Sequence, residues 1–99
     1  DFTATWCLTC QTNKKFALGS RGVVERILDE GIVLLKADWT DFDPVITSEL
    51  ARFQRNAVPF NLVYGPSAKD PIILPEALTP SIIKDAFDQA QGAISLKKP

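Results

Sequence analysis

The segment that most constrains this chain is Trp6-Cys7-Leu8-Thr9-Cys10, which holds its only two cysteines. Asp1-Phe2-Thr3-Ala4-Thr5 reads as the tail of a buried strand, and Gln11 to Leu18 can continue as a helix. A Cys-x-x-Cys pair at a strand-to-helix junction is the signature of a thiol–disulfide redox site. Two intervening residues in a first helical turn bring both sulfurs within the narrow distance limits of a disulfide. The first cysteine then lies at the helix N-terminus, where unpaired backbone N–H groups and the helix dipole favour negative charge. That lowers the thiol pKa, and the thiolate is the reactive form. Cys7 is therefore expected to be the exposed, attacking sulfur and Cys10 the resolving one. Two other readings stay open. A static bridge across so short a loop would restrain the unfolded chain little. A zinc half-site would need ligands from elsewhere, since the chain has no His and no further Cys.

The remaining composition narrows the function classes. Ninety-nine residues fit one domain, and 45% hydrophobic with 23% charged residues is ordinary for a globular protein. A net charge of −1 leaves no electrostatic footprint for nucleic acid. No apolar run approaches the roughly 20 residues that span a bilayer, and no signal peptide is visible. The chain has no Met, and Asp1-Phe2-Thr3 is short against the roughly 5–6 residues of a typical strand. It is expected to be a single domain, residues 1–99, excised from something longer.

Along the chain, Ser20 is an expected N-cap for a helix to about Glu30, with Val23, Val24, Ile27 and Leu28 on one face and Gly31 at its end. Ile32 to Asp38 is nearly all apolar and predicts a strand buried on both faces, with Lys36 as the odd residue. Asp43-Pro44 starts a helix whose apolar face is Ile46, Leu50, Phe53 and Ala57. In the preceding loop, Trp39 and Phe42 are expected to pack rather than bind. Residues 60–74 predict a β-hairpin turning through Gly65 to Pro71. Thr79-Pro80 starts a last helix lined by Ile82, Ile83, Ala86, Phe87 and Ala90, closed by Gly92, with Lys97-Lys98-Pro99 as a frayed tail. Parallel strands joined by helices, then a hairpin and a terminal helix, make an α/β fold: a mixed sheet with helices on both faces.

That order, with Trp-Cys-x-x-Cys early and Val58-Pro59 just before the hairpin, resembles the thioredoxin fold, a three-layer α/β/α sandwich, with its N-terminal strand and helix lacking here. Asp-Phe-Thr-Ala-x-Trp-Cys-x-x-Cys, Leu-Lys-Ala-Asp-Trp-Thr and Leu74-Pro75-Glu76-x-Leu78-Thr79-Pro80 further resemble the C-terminal domain of DsbD-type thiol:disulfide interchange proteins. The resemblance implies a periplasmic protein-disulfide reductase domain, tethered to the inner membrane in the full-length protein. It would take electrons from a transmembrane domain and pass them to another periplasmic thiol protein. It implies no cofactor and no metal, and a monomer is expected.

Residue by residue, the resemblance makes Cys7–Cys10 the redox disulfide. Pro59 matches the cis-proline facing the pair, and Val58 would offer its backbone to an incoming peptide strand. Trp6, Leu8 and Thr9 would complete the partner-binding surface. Leu8-Thr9 replaces the Gly-Pro of thioredoxin proper, a pair that tunes redox potential. Asp1 matches the buried acid that accepts the Cys10 proton, its pKa raised by burial, and Lys36 matches the neighbouring lysine. Relatives often carry an acid four residues after the second cysteine; here that position is Lys14, a cation that would favour thiolate if turned inward. Within the same class, the alternative is a free-standing reductase or a cytochrome c maturation thiol donor. In another class, it is a non-catalytic module with a structural or metal-holding pair.

Overall fold

The computed structural model describes residues 1–66 and 70–91. The expected glycine stop at Gly92, the tail at Lys97-Lys98-Pro99 and the hairpin turn at residues 67–69 lie outside them. Strand β1 (Phe2–Thr3) leads through a short turn into helix α1 (Leu8–Asn13), which widens into a π-helical segment over Lys14–Leu18. Helix α2 (Arg21–Glu30), strand β2 (Ala37–Asp38), helix α3 (Pro44–Arg52), strands β3 (Leu62–Val63) and β4 (Ile72–Ile73), and helix α4 (Pro80–Gln91) follow.

Two two-stranded sheets, β1-β2 and β3-β4, are joined into one mixed layer by an isolated bridge. β1 and β2 are parallel, with Phe2 opposite Ala37 and Thr3 opposite Asp38. Phe2 also exchanges both backbone hydrogen bonds with Phe60, at 2.8 and 3.3 Å, an antiparallel bridge just ahead of β3. β3 and β4 form the expected hairpin, Leu62 opposite Ile73. Apolar side chains fill both faces of this sheet. On one, Phe2, Trp39, Leu50 and Phe60 pack together with Ile46 and Phe53 of the α3 region. On the other, Leu74 and Leu78 meet Ala17, Val23, Ile83, Ala86 and Phe87 from the remaining helices. Helices on both sides of a mixed sheet make a thioredoxin-like α/β architecture.

Local chemistry explains the helix ends. The Asp43 carboxylate accepts from the amides of Val45 at 2.8 Å and Ile46 at 3.3 Å, and Pro44 opens α3 with the φ it already prefers. Thr79 Oγ1 accepts from the Ile82 amide ahead of α4. Gly31 ends α2 in the left-handed region at φ 65°. Ser20 precedes α2 but does not cap it through its side chain; its hydroxyl donates to the Ala17 carbonyl instead. Gly19 closes the π-helical segment, its amide on the Lys14 carbonyl at 2.7 Å. A Cβ there would come within 2.6 Å of that same oxygen, so the tight closure needs glycine.

Two expectations are corrected. The strand predicted over Ile32–Asp38 forms only at Ala37–Asp38, and Val33, Leu34 and Leu35 are exposed. A doubly buried strand needs a neighbour on each side, but β1 offers a ladder only two residues long. Ahead of it, the backbone contacts are Ile32 N–H to the Ile27 carbonyl and the Asp1 amine to the Leu35 carbonyl. In α2, Val23 is buried, whereas Val24 and Leu28 face solvent. The packed stripe is Val23–Ile27, and residues one position later lie about 100° around the helix.

Candidate redox site

The redox turn grows out of β1. The Cys7 amide donates to the Ala4 carbonyl at 3.2 Å, and the Gln11 side-chain amide donates to that carbonyl at 3.1 Å. Cys7 keeps an extended backbone and stands as the N-cap of α1, its sulfur accepting the Cys10 amide at 3.1 Å. The two cysteines are joined by a disulfide, with their Cα atoms 5.2 Å apart. Donation from a helix-start amide is the contact that stabilises charge on a sulfur placed there.

The expectation of an exposed Cys7 is corrected. Cys7 is 7% exposed and Cys10 2%. Both pack with Ala4, and Val58 lies against them. Cys7 is thus the more accessible of the pair only by a narrow margin, with Ala4 and Val58 packed against the two cysteines. Around that opening Leu8 and Thr9 are exposed and Trp6 is half exposed.

Opposite the pair, the Val58–Pro59 peptide bond is cis, and Pro59 is buried. The Phe2–Phe60 bridge places this segment beside the redox turn, since Phe60 follows Pro59 and Phe2 lies five residues before Cys7. An aromatic ledge flanks the site on the other side. Trp6 stacks on Phe42 with centroids 5.6 Å apart, and Trp39 meets the Phe42 ring edge-on at 4.9 Å. Trp39 is buried, as a packing residue, with its indole N–H on Thr47 Oγ1 at 2.8 Å. Phe42 is not: it is 58% exposed at φ 55°.

Asp1 and Lys36 do not meet as an ion pair among the described residues. Asp1 is partly buried and Lys36 exposed, and both border a cavity of about 980 Å³ that Lys14 and Asn61 also line. The Asp1 backbone nitrogen donates to the Leu35 carbonyl at 3.0 Å. The bridge register sets Asp1 opposite Asn61, whose buried side-chain nitrogen has no partner among the described residues; neither does the Thr3 hydroxyl. The lysines act on a different carboxylate. Asp38 is held below the ordinary carboxylate range by the Thr40 hydroxyl first, then the Thr40 amide, with Lys36 and Lys14 adding their fields. Lys14 is partly buried.

Sequence reasoning passed over three residues. Asn13, one helical turn beyond Cys10, is buried and ties the helix to the segment before α4. Its Nδ2 donates to the Glu76 carbonyl at 2.7 Å, and its Oδ1 accepts the Leu78 amide at 3.0 Å. The signal was present as an asparagine on the inward stripe of an otherwise apolar helix. Asp38 holds Thr40, which grips Thr5 and Trp6 just after β2, and an Asp-x-Thr pattern at a strand end is a local turn signal that could have been noticed.

Comparison with known proteins agrees with this geometry. A family model described as Thioredoxin-like matches residues 1–66. Among solved structures, the C-terminal domain of Neisseria meningitidis DsbD in its reduced form is similar at a TM-score of 0.73. The identity is 19%, over 92% of this chain and 77% of that one. The oxidised form of the same domain matches at 0.71, with the same identity and coverage. At that identity the likeness is one of fold. No curated protein matches the chain. Among the described residues no helix is long and apolar enough to cross a membrane. With a bonded Cys-x-x-Cys pair at the start of a helix on this fold, which supports thiol–disulfide oxidoreductase activity, the chain belongs to the thioredoxin-like family.

Proposed function

We propose that this domain is a protein-disulfide reductase acting by dithiol–disulfide exchange, in the manner of a DsbD C-terminal domain. The observation that carries the reading is the Cys10 amide directed at the Cys7 sulfur, with Cys7 the less covered of the two. In the reduced protein, the Cys7 thiolate attacks one sulfur of a partner disulfide. The partner's other sulfur leaves as thiolate and takes a proton from solvent, and a mixed disulfide remains. Cys10 gives up its proton and attacks the Cys7 sulfur, expelling the partner's second sulfur as thiolate and closing Cys7–Cys10. Two electrons pass from the pair to the partner, and a thiol donor of the same chemistry restores them.

Asp1 is the acid proposed, on the resemblance alone, to receive the Cys10 proton; it and Lys36 border one cavity, whose described lining includes neither cysteine. Trp6, Leu8, Thr9, Val58 and Pro59 frame the approach to Cys7 and would contact the partner briefly over a modest area. The donor is proposed to be a transmembrane domain and the acceptor a periplasmic thiol protein, with this domain tethered at the inner membrane and serving cytochrome c biogenesis among other thiol needs. The near-burial of both cysteines favours one rival, a static bridge. A Cys10→Ser variant offered an oxidised thiol protein separates the two. The reductase accumulates an adduct through Cys7, which a Cys7→Ser variant cannot form. A static bridge gives no adduct in either, and the wild-type pair does not cycle.

A further inference from the structure

The parallel ladder between β1 and β2 runs from the Ala37 amide to the Asp1 carbonyl at 2.9 Å, and from the Trp39 amide to the Thr3 carbonyl at 2.7 Å. The next rung would carry the Thr5 amide to the Trp39 carbonyl. That carbonyl is engaged by the Phe42 amide at 3.0 Å, which folds the loop back. The Thr5 amide goes instead to Thr40 Oγ1 at 2.9 Å. A side-chain hydroxyl thus takes the place of a backbone acceptor at the point where the chain leaves the sheet for the redox turn.

The direction of this contact is fixed chemically. A threonine hydroxyl has one hydrogen and two lone pairs. Thr40 gives its hydrogen to Asp38 Oδ1, which also accepts the Thr40 amide at 3.0 Å. An ionised carboxylate can only accept, so the hydroxyl must present a lone pair to Thr5. The carbonyl of Thr40 meanwhile accepts the Trp6 indole N–H at 3.0 Å. One residue therefore holds both residues that precede Cys7, Thr5 by its backbone and Trp6 by its side chain.

We propose that Thr40, oriented by Asp38, is a positioning residue for the redox turn: it fixes Thr5 and Trp6 against β2 and so sets how a folded disulfide reaches Cys7. The inference rests on the oxidoreductase reading above. Thr40 touches no reacting atom in it. A small disulfide needs only the Cys7 sulfur, whereas a folded partner must also contact the residues around it, half-exposed Trp6 among them. Loss of the latch should therefore separate the two substrate sizes.

Thr40→Val keeps the shape and removes the hydroxyl, and Thr40→Ser restores it. With the reduced protein, Thr40→Val should slow reduction of insulin about tenfold and that of an aromatic dithiobis-benzoate by less than about twofold. Thr40→Ser should stay within about twofold of the parent on both, and amide exchange at Thr5 should rise about tenfold in Thr40→Val alone. Unchanged Thr5 exchange, an unchanged insulin rate, or equal slowing on both substrates would overturn the proposal. Should Thr40→Val fail to fold, Asp38→Asn replaces it, because a neutral amide no longer dictates the hydroxyl's direction. Thr5 exchange should rise there too, and a parental rate would overturn the latch. A parent that reduces neither disulfide refutes the oxidoreductase reading, while Thr5 exchange still judges the contact itself.

Discussion

The backbone amide of Cys10 donates to the sulfur of Cys7 at 3.1 Å, and no comparable donor reaches the Cys10 sulfur among the described residues. Charge on Cys7 is thereby stabilised in a way that charge on Cys10 is not. After reduction, a limiting amount of iodoacetamide at neutral pH should label Cys7 about tenfold faster than Cys10. Peptide mass spectrometry reads the ratio. Equal labelling would mean that the helix start does not distinguish the two sulfurs.

Asn13 is the polar staple of the redox helix. Replacing it with Ala leaves the Leu78 amide without its acceptor and the Glu76 carbonyl without its donor. The Leu78 amide is buried and the Glu76 carbonyl only partly so, and a buried group left unpaired costs about 1–3 kcal/mol. Thermal unfolding of Asn13→Ala should report a loss of about 2–4 kcal/mol. A variant as stable as the parent would show that water replaces both partners.

Much of the architecture was legible because it rests on local chemistry. Asp43-Pro44 and Thr79-Pro80 dictate helix starts wherever they stand, and the two cysteines dictate the turn between β1 and α1. What could not be read depends on distant neighbours. Ile32 to Leu35 has the composition of a buried strand, but burial requires pairing partners, and composition does not say whether they are there. Cys7 was expected to be exposed as the attacking thiolate stabilised at a helix N-terminus. Val58, 51 residues later in the chain, packs against the cysteine cluster, since the Phe2–Phe60 bridge brings that segment alongside. Asp1 and Lys36 border one cavity without touching, and Lys36 lends its field to Asp38 instead. The Thr40 hydroxyl matters only because the Trp39 carbonyl is taken, a fact of loop geometry that no spacing rule encodes.

The Arg26 cluster should contribute to the acid sensitivity of the fold, alongside Asp38. Arg26 joins Glu30 at 2.8 Å within α2 and Asp88 of α4 at 2.8 Å. Its guanidinium, with the Gln91 side chain second, holds the Glu30 carboxyl below its ordinary range. A carboxyl depressed in the folded state adds stability above its unfolded pKa, and that stability is lost as pH falls through the folded value. Stability should therefore decline from the ordinary carboxylate range, around pH 4–5, downward. Glu30→Gln should be less stable at neutral pH and show a shallower decline over that window. Denaturant midpoints at several pH values test this, and a slope identical to the parent's would remove Glu30 from the account.

Phe42 offers a different kind of test, because its ring is displayed rather than buried. It sits at φ 55°, a backbone region that costs a non-glycine residue of order 1–3 kcal/mol, yet its ring stays more than half exposed against Trp6. That ring packs on Trp6, the residue before Cys7, and edge-on against Trp39, so its removal tests whether the exposed ledge serves docking. Phe42→Gly relieves the backbone and removes the ring, so the variant should unfold no earlier than the parent. Its reduction of a protein disulfide should nevertheless slow by about three- to tenfold through weaker docking, with the rate on a small disulfide unchanged. Steady-state rates over a range of protein-disulfide concentrations would place that loss in KM rather than kcat. A Phe42→Gly protein that works as well as the parent on both substrates would reduce the Trp6–Phe42 ledge to a packing detail of the loop before α3.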